Sequence, residues 1–268
     1  MSWQPLDSLP VWAFFVLTCL IVAVPVEIGY RLGRRHRDRA AADAAADSDP
    51  SVGVMVGSTL GLLAFILAFT FGMAGAHFEE RRQVILEDAN AIGTTYLRTQ
   101  LLPEPQRAEV AALLREYVDL RLQAGLSDAS TKEIAPTIAR SEEIQKEIWQ
   151  KAMIVADEHP TVMTGLFLQA LNQMIDVHSK RILFNVQTSI PSSIWLGLFV
   201  VTMAGLMAAG FQAGTGGQRR TIVILGLVLA FASVMTLIAD LNHPRKGFLR
   251  STQTPMSDLQ KSMGSDGR

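Results

Sequence analysis

From Ser51 through Phe78 the chain carries no Asp, Glu, Lys or Arg, and from Val52 to Leu102 it carries no proline. The run opens as SVGVMVGSTLGLLAFILAFTFGMAGAHF and passes directly into EERRQVILEDANAI. A helix rises about 1.5 Å per residue, so a hydrocarbon core of about 30 Å takes roughly 20 apolar residues. This run is longer than that. It predicts a single rod over 52–102 that crosses the membrane and emerges as the same, now charged, helix. Such a rod ties the intramembrane part to whatever folds outside.

Composition agrees with a membrane chain. Charged residues are 18% of the total, against roughly 25% in soluble domains. The deficit is local, because long charge-free runs alternate with ordinary charged sequence. A net charge of −1 with no dominant basic face argues against a nucleic-acid partner. The single Cys19 lies within an apolar run, which rules out an intrachain disulfide and a cysteine-built metal centre.

Three further apolar runs mark spans. The first is Val11 to Ile28, with Trp3 and Trp12 at its start and Tyr30 at its end, where amphipathic rings favour the interface. The residues ahead of it lack Lys and Arg, and the basic cluster RLGRRHRDR follows it, as in a retained anchor rather than a cleaved signal. Pro25 predicts a kink. The third and fourth runs are Ile194 to Phe211 and Ile222 to Ile238. The fold expected is all-α: a polytopic membrane protein with four transmembrane helices and a helical extramembrane domain between the second and third. The boundaries are 10–30, a basic connector over 31–51, 52–78, the domain over 79–190, 191–213, 220–240 and a tail over 241–268.

Within the domain, Pro103 and Pro105 separate the rod from a helix whose apolar stripe is Val110, Leu113, Leu114, Tyr117 and Leu120. Gly125 ends it. A third helix runs from about Thr131, through Pro136, to Glu158, and His159-Pro160 breaks it. The fourth shows Met163, Leu166, Phe167, Ala170, Leu171, Met174 and Ile175 on one side. The tail reads as amphipathic at best.

Signatures of hydrolytic or redox chemistry are absent, and no acid, base and nucleophile set converges, so neither an enzyme nor a cofactor or metal site is expected. Gly53, Gly57 and Gly61 recur every four residues, spacing that lets helix backbones approach closely in lipid. Phe65, Phe69, Met73 and His77 extend that row. Around an axis of several copies they would form a hydrophobic constriction, with His77 as a pH-sensitive gate; singly they read as packing, lipid and interface residues. Glu79, Glu80, Arg81 and Arg82, with Glu87 and Asp88, read either as an ion vestibule or as an interfacial charge network. Asp240 reads as a capping residue. Thr59, Thr70, Thr202 and Thr236 are the intramembrane hydroxyls that a proton path would use.

The segments LGLLAFILAFTFGMAGAHFEERRQVILEDANAIGTTYLR, SIPSSIW and DLNHPRKGFLR resemble a bacterial bestrophin-like family of unknown function, over nearly the whole chain. Through it the chain is distantly similar to bestrophin ion channels. That resemblance implies a pentamer with four spans per subunit, second spans lining the pore and hydrophobic side chains forming a neck. Phe65 and Phe69 match the neck positions, Gly61 stands one turn before, and Leu62 or Phe71 are the alternatives in a shifted register. Two features depart from bestrophins: HFEERR replaces the tryptophan-containing stretch after the pore helix, and the tail lacks the acidic calcium clasp.

The expected partners are the lipid bilayer, further copies of the chain and inorganic ions. The expected place is the bacterial inner membrane. Five arginines between 31 and 39, with Arg219 and Arg220, put the two short loops in the cytoplasm and the helical domain outside; the bestrophin resemblance implies the domain inside. An oligomeric ion channel is the leading functional reading. A non-conducting sensor or scaffold is the alternative, and a proton-driven complex of four-span subunits is the third.

Overall fold

A computed structural model describes residues 10–42, 50–126, 131–187, 190–216, 221–242 and 252–265, and among these every regular element is helical. The helices are α1 (Val11–Ala42), α2 (Pro50–Arg98), α3 (Gln106–Leu126), α4 (Thr131–Glu158), α5 (Val162–Gln187), α6 (Ser192–Thr215), α7 (Thr221–Asn242) and α8 (Thr254–Ser265). A 3-10 turn, Thr99–Leu101, finishes α2 before Pro103. The predicted rod over 52–102 is therefore one unbroken helix plus that turn. The chain divides into two compact units, Met1–His77 with Ser189–Leu249, and Phe78–Thr188 with Arg250–Arg268.

The first unit holds the apolar helices. Among the described residues four helical stretches, Val11–Arg39, Gly53–Leu101, Ser192–Thr215 and Ile222–Asn242, are long and apolar enough to cross a membrane. α1 does not stop at Ile28. It carries the basic segment on to Ala42, with Arg31 bound to Glu27 at 2.8 Å one turn back, so the expected connector is helical to that point. Residues 43–49 of the connector lie outside the described set.

α1 and α6 run parallel and touch backbone to backbone. A Cβ built on Gly29 would stand 2.0 Å from the carbonyl oxygen of Met207, and one on Gly33 would stand 2.2 Å from that of Phe211. The reciprocal positions behave alike: Gly210 faces the Val26 carbonyl at 2.2 Å and Gly214 that of Tyr30 at 2.3 Å. Two glycines four apart on each helix remove the side chains that would otherwise hold the axes apart. Around this seam, Val22, Val26, Leu206 and Val228 form a buried core to which α7 contributes. Trp195, almost fully buried, packs edge-on against Phe14 with ring centroids 6.4 Å apart. The Ile190 N–H donates to Asn242 Oδ1 at 3.0 Å, which joins the entry of α6 to the exit of α7.

The second unit is a helical domain built from the outer part of α2 with α3, α4, α5 and α8. Its core includes Ile92, Leu114, Tyr117, Ile144, Ile148, Phe167, Leu171 and Met174. α5 starts after the His159-Pro160 break, where Thr161 Oγ1 accepts the Thr164 N–H at 3.2 Å as a cap. In the described part of the tail, residues 252–265, α8 forms and packs on the domain. α8 buries Met256 and Met263, Arg115 Nε donates to the Met263 carbonyl at 3.2 Å, and Gln260 Nε2 donates to Asp119 Oδ1 at 2.7 Å.

Candidate functional site

Two features are candidates for a functional site: one face of the membrane part of α2, and a buried polar network in the helical domain. On α2, Val56, Leu63, Leu67, Thr70 and Ala74 are buried. At about 100° per residue they share one narrow face. Phe65 and Phe69 fall on the opposite side and are 69% and 71% exposed in the single chain. Gly57, Gly61 and Gly72 have no chain atom within 4 Å of where a Cβ would stand. A face of glycines and unpacked aromatic rings is thus turned away from this chain's own helices.

The four-residue row from Gly53 to His77 does not share that face. Each step of four slips about 40°, so the two ends lie about 240° apart around the rod. Gly53 meets Gln212 of α6, with Nε2 at 3.1 Å from its built Cβ. Met73 and His77 are half-buried, and His77 Nδ1 is enclosed without a hydrogen-bond partner among the described residues. Of this row, Gly57, Gly61, Phe65 and Phe69 stay together on the outward side. Of the charges that follow, Glu79, Glu80 and Arg82 are exposed, with Glu79 and Arg82 3.6 Å apart, while Arg81 is buried. Thr59, Thr70 and Thr236 donate to carbonyls one turn back on their own helices, and Thr202 Oγ1 is buried without a partner among the described residues.

The network in the domain draws on four helices. Asp88 of α2 is fully buried, and its Oδ2 accepts from Arg121 Nη2 at 2.8 Å and from Arg181 Nη1 at 2.5 Å. Burial alone would raise the Asp88 carboxyl, but the two guanidinium groups more than reverse it and hold it below the usual range. Arg121 also lies over the Tyr117 ring, 5.7 Å from its centroid. Gln145 Nε2 donates to the Tyr117 hydroxyl at 3.0 Å, so the hydroxyl proton points to His178 Nδ1 at 2.8 Å. That assigns the ring proton of His178 to Nε2, a donor with no partner among the described residues. Burial, then the positive charge of Arg121, lowers His178 to about 4. Burial pushes the Tyr117 phenol up to about 12. Among the described residues no cluster of three metal-ligating side chains occurs.

The bestrophin-like domain profile matches residues 10–256. The chain belongs to the bestrophin-like family. No curated protein matches the sequence. The fold is shared with a point mutant of a bacterial bestrophin homologue from Klebsiella pneumoniae, at 14% identity, TM-score 0.68, and 96% and 99% of the two chains covered. A second structure of a bestrophin homologue from the same organism aligns at 14% identity and TM-score 0.63 over 94% and 95%. A crystal structure of a membrane protein carrying a proline-to-alanine substitution aligns at 13% identity and TM-score 0.67 over 95% and 97%. At such identities the likeness speaks for the fold: an all-helical, multi-pass membrane protein.

Two parts of this bestrophin-like chain escaped sequence reasoning. The α1–α6 seam was visible as the pairs Gly29/Gly33 and Gly210/Gly214, but Gly33 sits among arginines, beyond the apolar run. The network had only one legible member, since Asp88 reads as one of a run of charges. Its partners lie 29 to 93 residues further along the chain.

Proposed function

We propose that this bestrophin-like protein assembles into an oligomeric ion channel of the bacterial inner membrane, with the second span lining the pore and Phe65 and Phe69 forming its neck. The observation that carries this reading is the outward face of α2. Bare glycine in a helix costs roughly 1 kcal/mol relative to alanine and offers lipid no apolar side chain. Gly57, Gly61 and Gly72 on a face without intrachain contacts are accounted for when another copy of α2 comes close there. Phe65 and Phe69 on the same side then converge on the axis as a hydrophobic constriction. Family membership fits a non-enzymatic role. The charges from Glu79 to Arg82 would border the mouth; the buried Arg81 serves structure there more than ion contact.

Purified protein in planar bilayers tests the reading. Phe65→Ala and Phe69→Ala are expected to raise conductance or alter gating relative to the parent chain. Silence of all three proteins across several lipids and ion gradients would overturn it.

A second reading, a non-conducting sensor, is favoured by the buried network that binds α3, α4 and α5 to Asp88. Binding of a ligand or partner to the domain, in a protein that passes no current, would favour it over the channel.

A further inference from the structure

A cleft of about 460 Å³ opens beside α4 and α5, within the size range of small-molecule sites. Its apolar lining is Trp149, Ile175 and Ile182, and its polar lining includes Gln145, Lys146 and His178. Gln145 and His178 are both more than nine-tenths buried, and both hold the Tyr117 hydroxyl, so their positions are fixed by the network beneath. The ring nitrogen of His178 turned away from Tyr117, Nε2, is buried and is a donor without an acceptor among the described residues. Beneath it, two guanidinium groups face one carboxylate, Asp88, which leaves one positive charge uncompensated within the cluster. Lys146 adds another at the rim, with Glu142 the single carboxylate in the lining.

An acceptor for a fixed N–H, a surplus of positive charge and an aromatic wall together select a ligand. We propose that this cleft binds a small carboxylate with an aromatic or branched apolar body, its carboxylate directed to His178 and Lys146 and its apolar part against Trp149 and Ile182. Buried N–H groups without acceptors are rare in folded proteins, and a ligand carboxylate supplies the missing one. The site is wired to the rod: Gln145 and His178 orient Tyr117, Tyr117 supports Arg121, and Arg121 holds Asp88 of α2. Occupancy therefore bears on the helix that continues into the second span.

Calorimetry on the full-length protein in detergent tests this with indole-3-acetate and benzoate as probes and tryptophol and benzyl alcohol as uncharged counterparts. The expected result is saturable binding of an aryl carboxylate at least tenfold tighter than its alcohol. Lys146→Met, at an exposed position that leaves the core intact, should weaken it at least fivefold. His178→Gln should abolish it in protein whose thermal unfolding remains cooperative. No saturable binding, equal binding of acid and alcohol, or affinity indifferent to Lys146→Met would overturn the assignment, as would a neighbouring copy seated in the cleft. None of these readings needs an ionic current, so failure here leaves the channel proposal standing, and the reverse.

Discussion

A methyl group on Gly210 would stand 2.2 Å from the carbonyl oxygen of Val26, closer than any real contact allows. The matching pair on the other helix, Gly29 against the Met207 carbonyl, is tighter still at 2.0 Å. These atoms are backbone and cannot swing aside. Gly210→Ala and Gly29→Ala must therefore push α1 and α6 apart, at a cost of roughly 1–3 kcal/mol each. Thermal unfolding in detergent should show both variants destabilised, whereas Gly226→Ala on α7, with open space around it and away from the outward face of α2, should unfold like the parent chain. Equal unfolding temperatures for Gly210→Ala and parent would refute the seam.

The two arginines on Asp88 set a ranking. Asp88→Asn leaves two buried guanidinium groups without their counter-charge and is expected to cost roughly 3–5 kcal/mol. Arg181→Met leaves a balanced Asp88–Arg121 pair and should cost less. Denaturation of the two variants side by side checks the order, and a milder Asp88→Asn would sink the account of the network.

Stability should fall with acid in a window set by His178. Its ordinary value of 6.5 is lowered to about 4 in the fold, so between those values the unfolded chain takes up a proton that the folded one refuses. The contribution is complete above pH 6.5 and is lost as pH falls toward 4, amounting to roughly 3 kcal/mol across the window. Asp88, held below its usual range, adds a further loss at lower pH. His178→Gln should flatten the upper part of the curve. An unchanged slope in that variant would show that other groups govern it.

How far the sequence alone reached depends on the range of the interactions. The rod was readable because it needs only local information: no charge to Phe78, no proline to Leu102, and helix-forming residues throughout. α4 likewise spans the expected Thr131 to Glu158, between a turn-rich segment and a proline. The pairing of Asp88 with Arg121 and Arg181 was not readable, since it exists only once α2, α3 and α5 meet. The docking of α8 failed to show for the same reason: Met256 and Met263 look unremarkable until α3 lies beneath them. Gly33 was hidden by its arginine neighbours, which suggest a loop although the helix runs on to Ala42.

On orientation, the arginine distribution and the bestrophin resemblance point opposite ways. We expect the arginines of α1 and the Arg219–Arg220 pair to hold the short loops in the cytoplasm, which puts the helical domain outside. In a Cys19→Ser background, a cysteine placed at the exposed Glu143 of α4 should react with a membrane-impermeant maleimide on intact cells. Labelling only after lysis would reverse the orientation.

The central claim is that copies of α2 meet through the face bearing Phe65 and Phe69. Cysteine cross-linking in native membranes tests it most directly, with Phe65→Cys and Leu67→Cys compared in the Cys19→Ser background. Mild oxidation is expected to join Phe65→Cys chains into covalent dimers and to leave Leu67→Cys, buried against its own chain, as monomers. Monomeric Phe65→Cys beside cross-linked Leu67→Cys would contradict it.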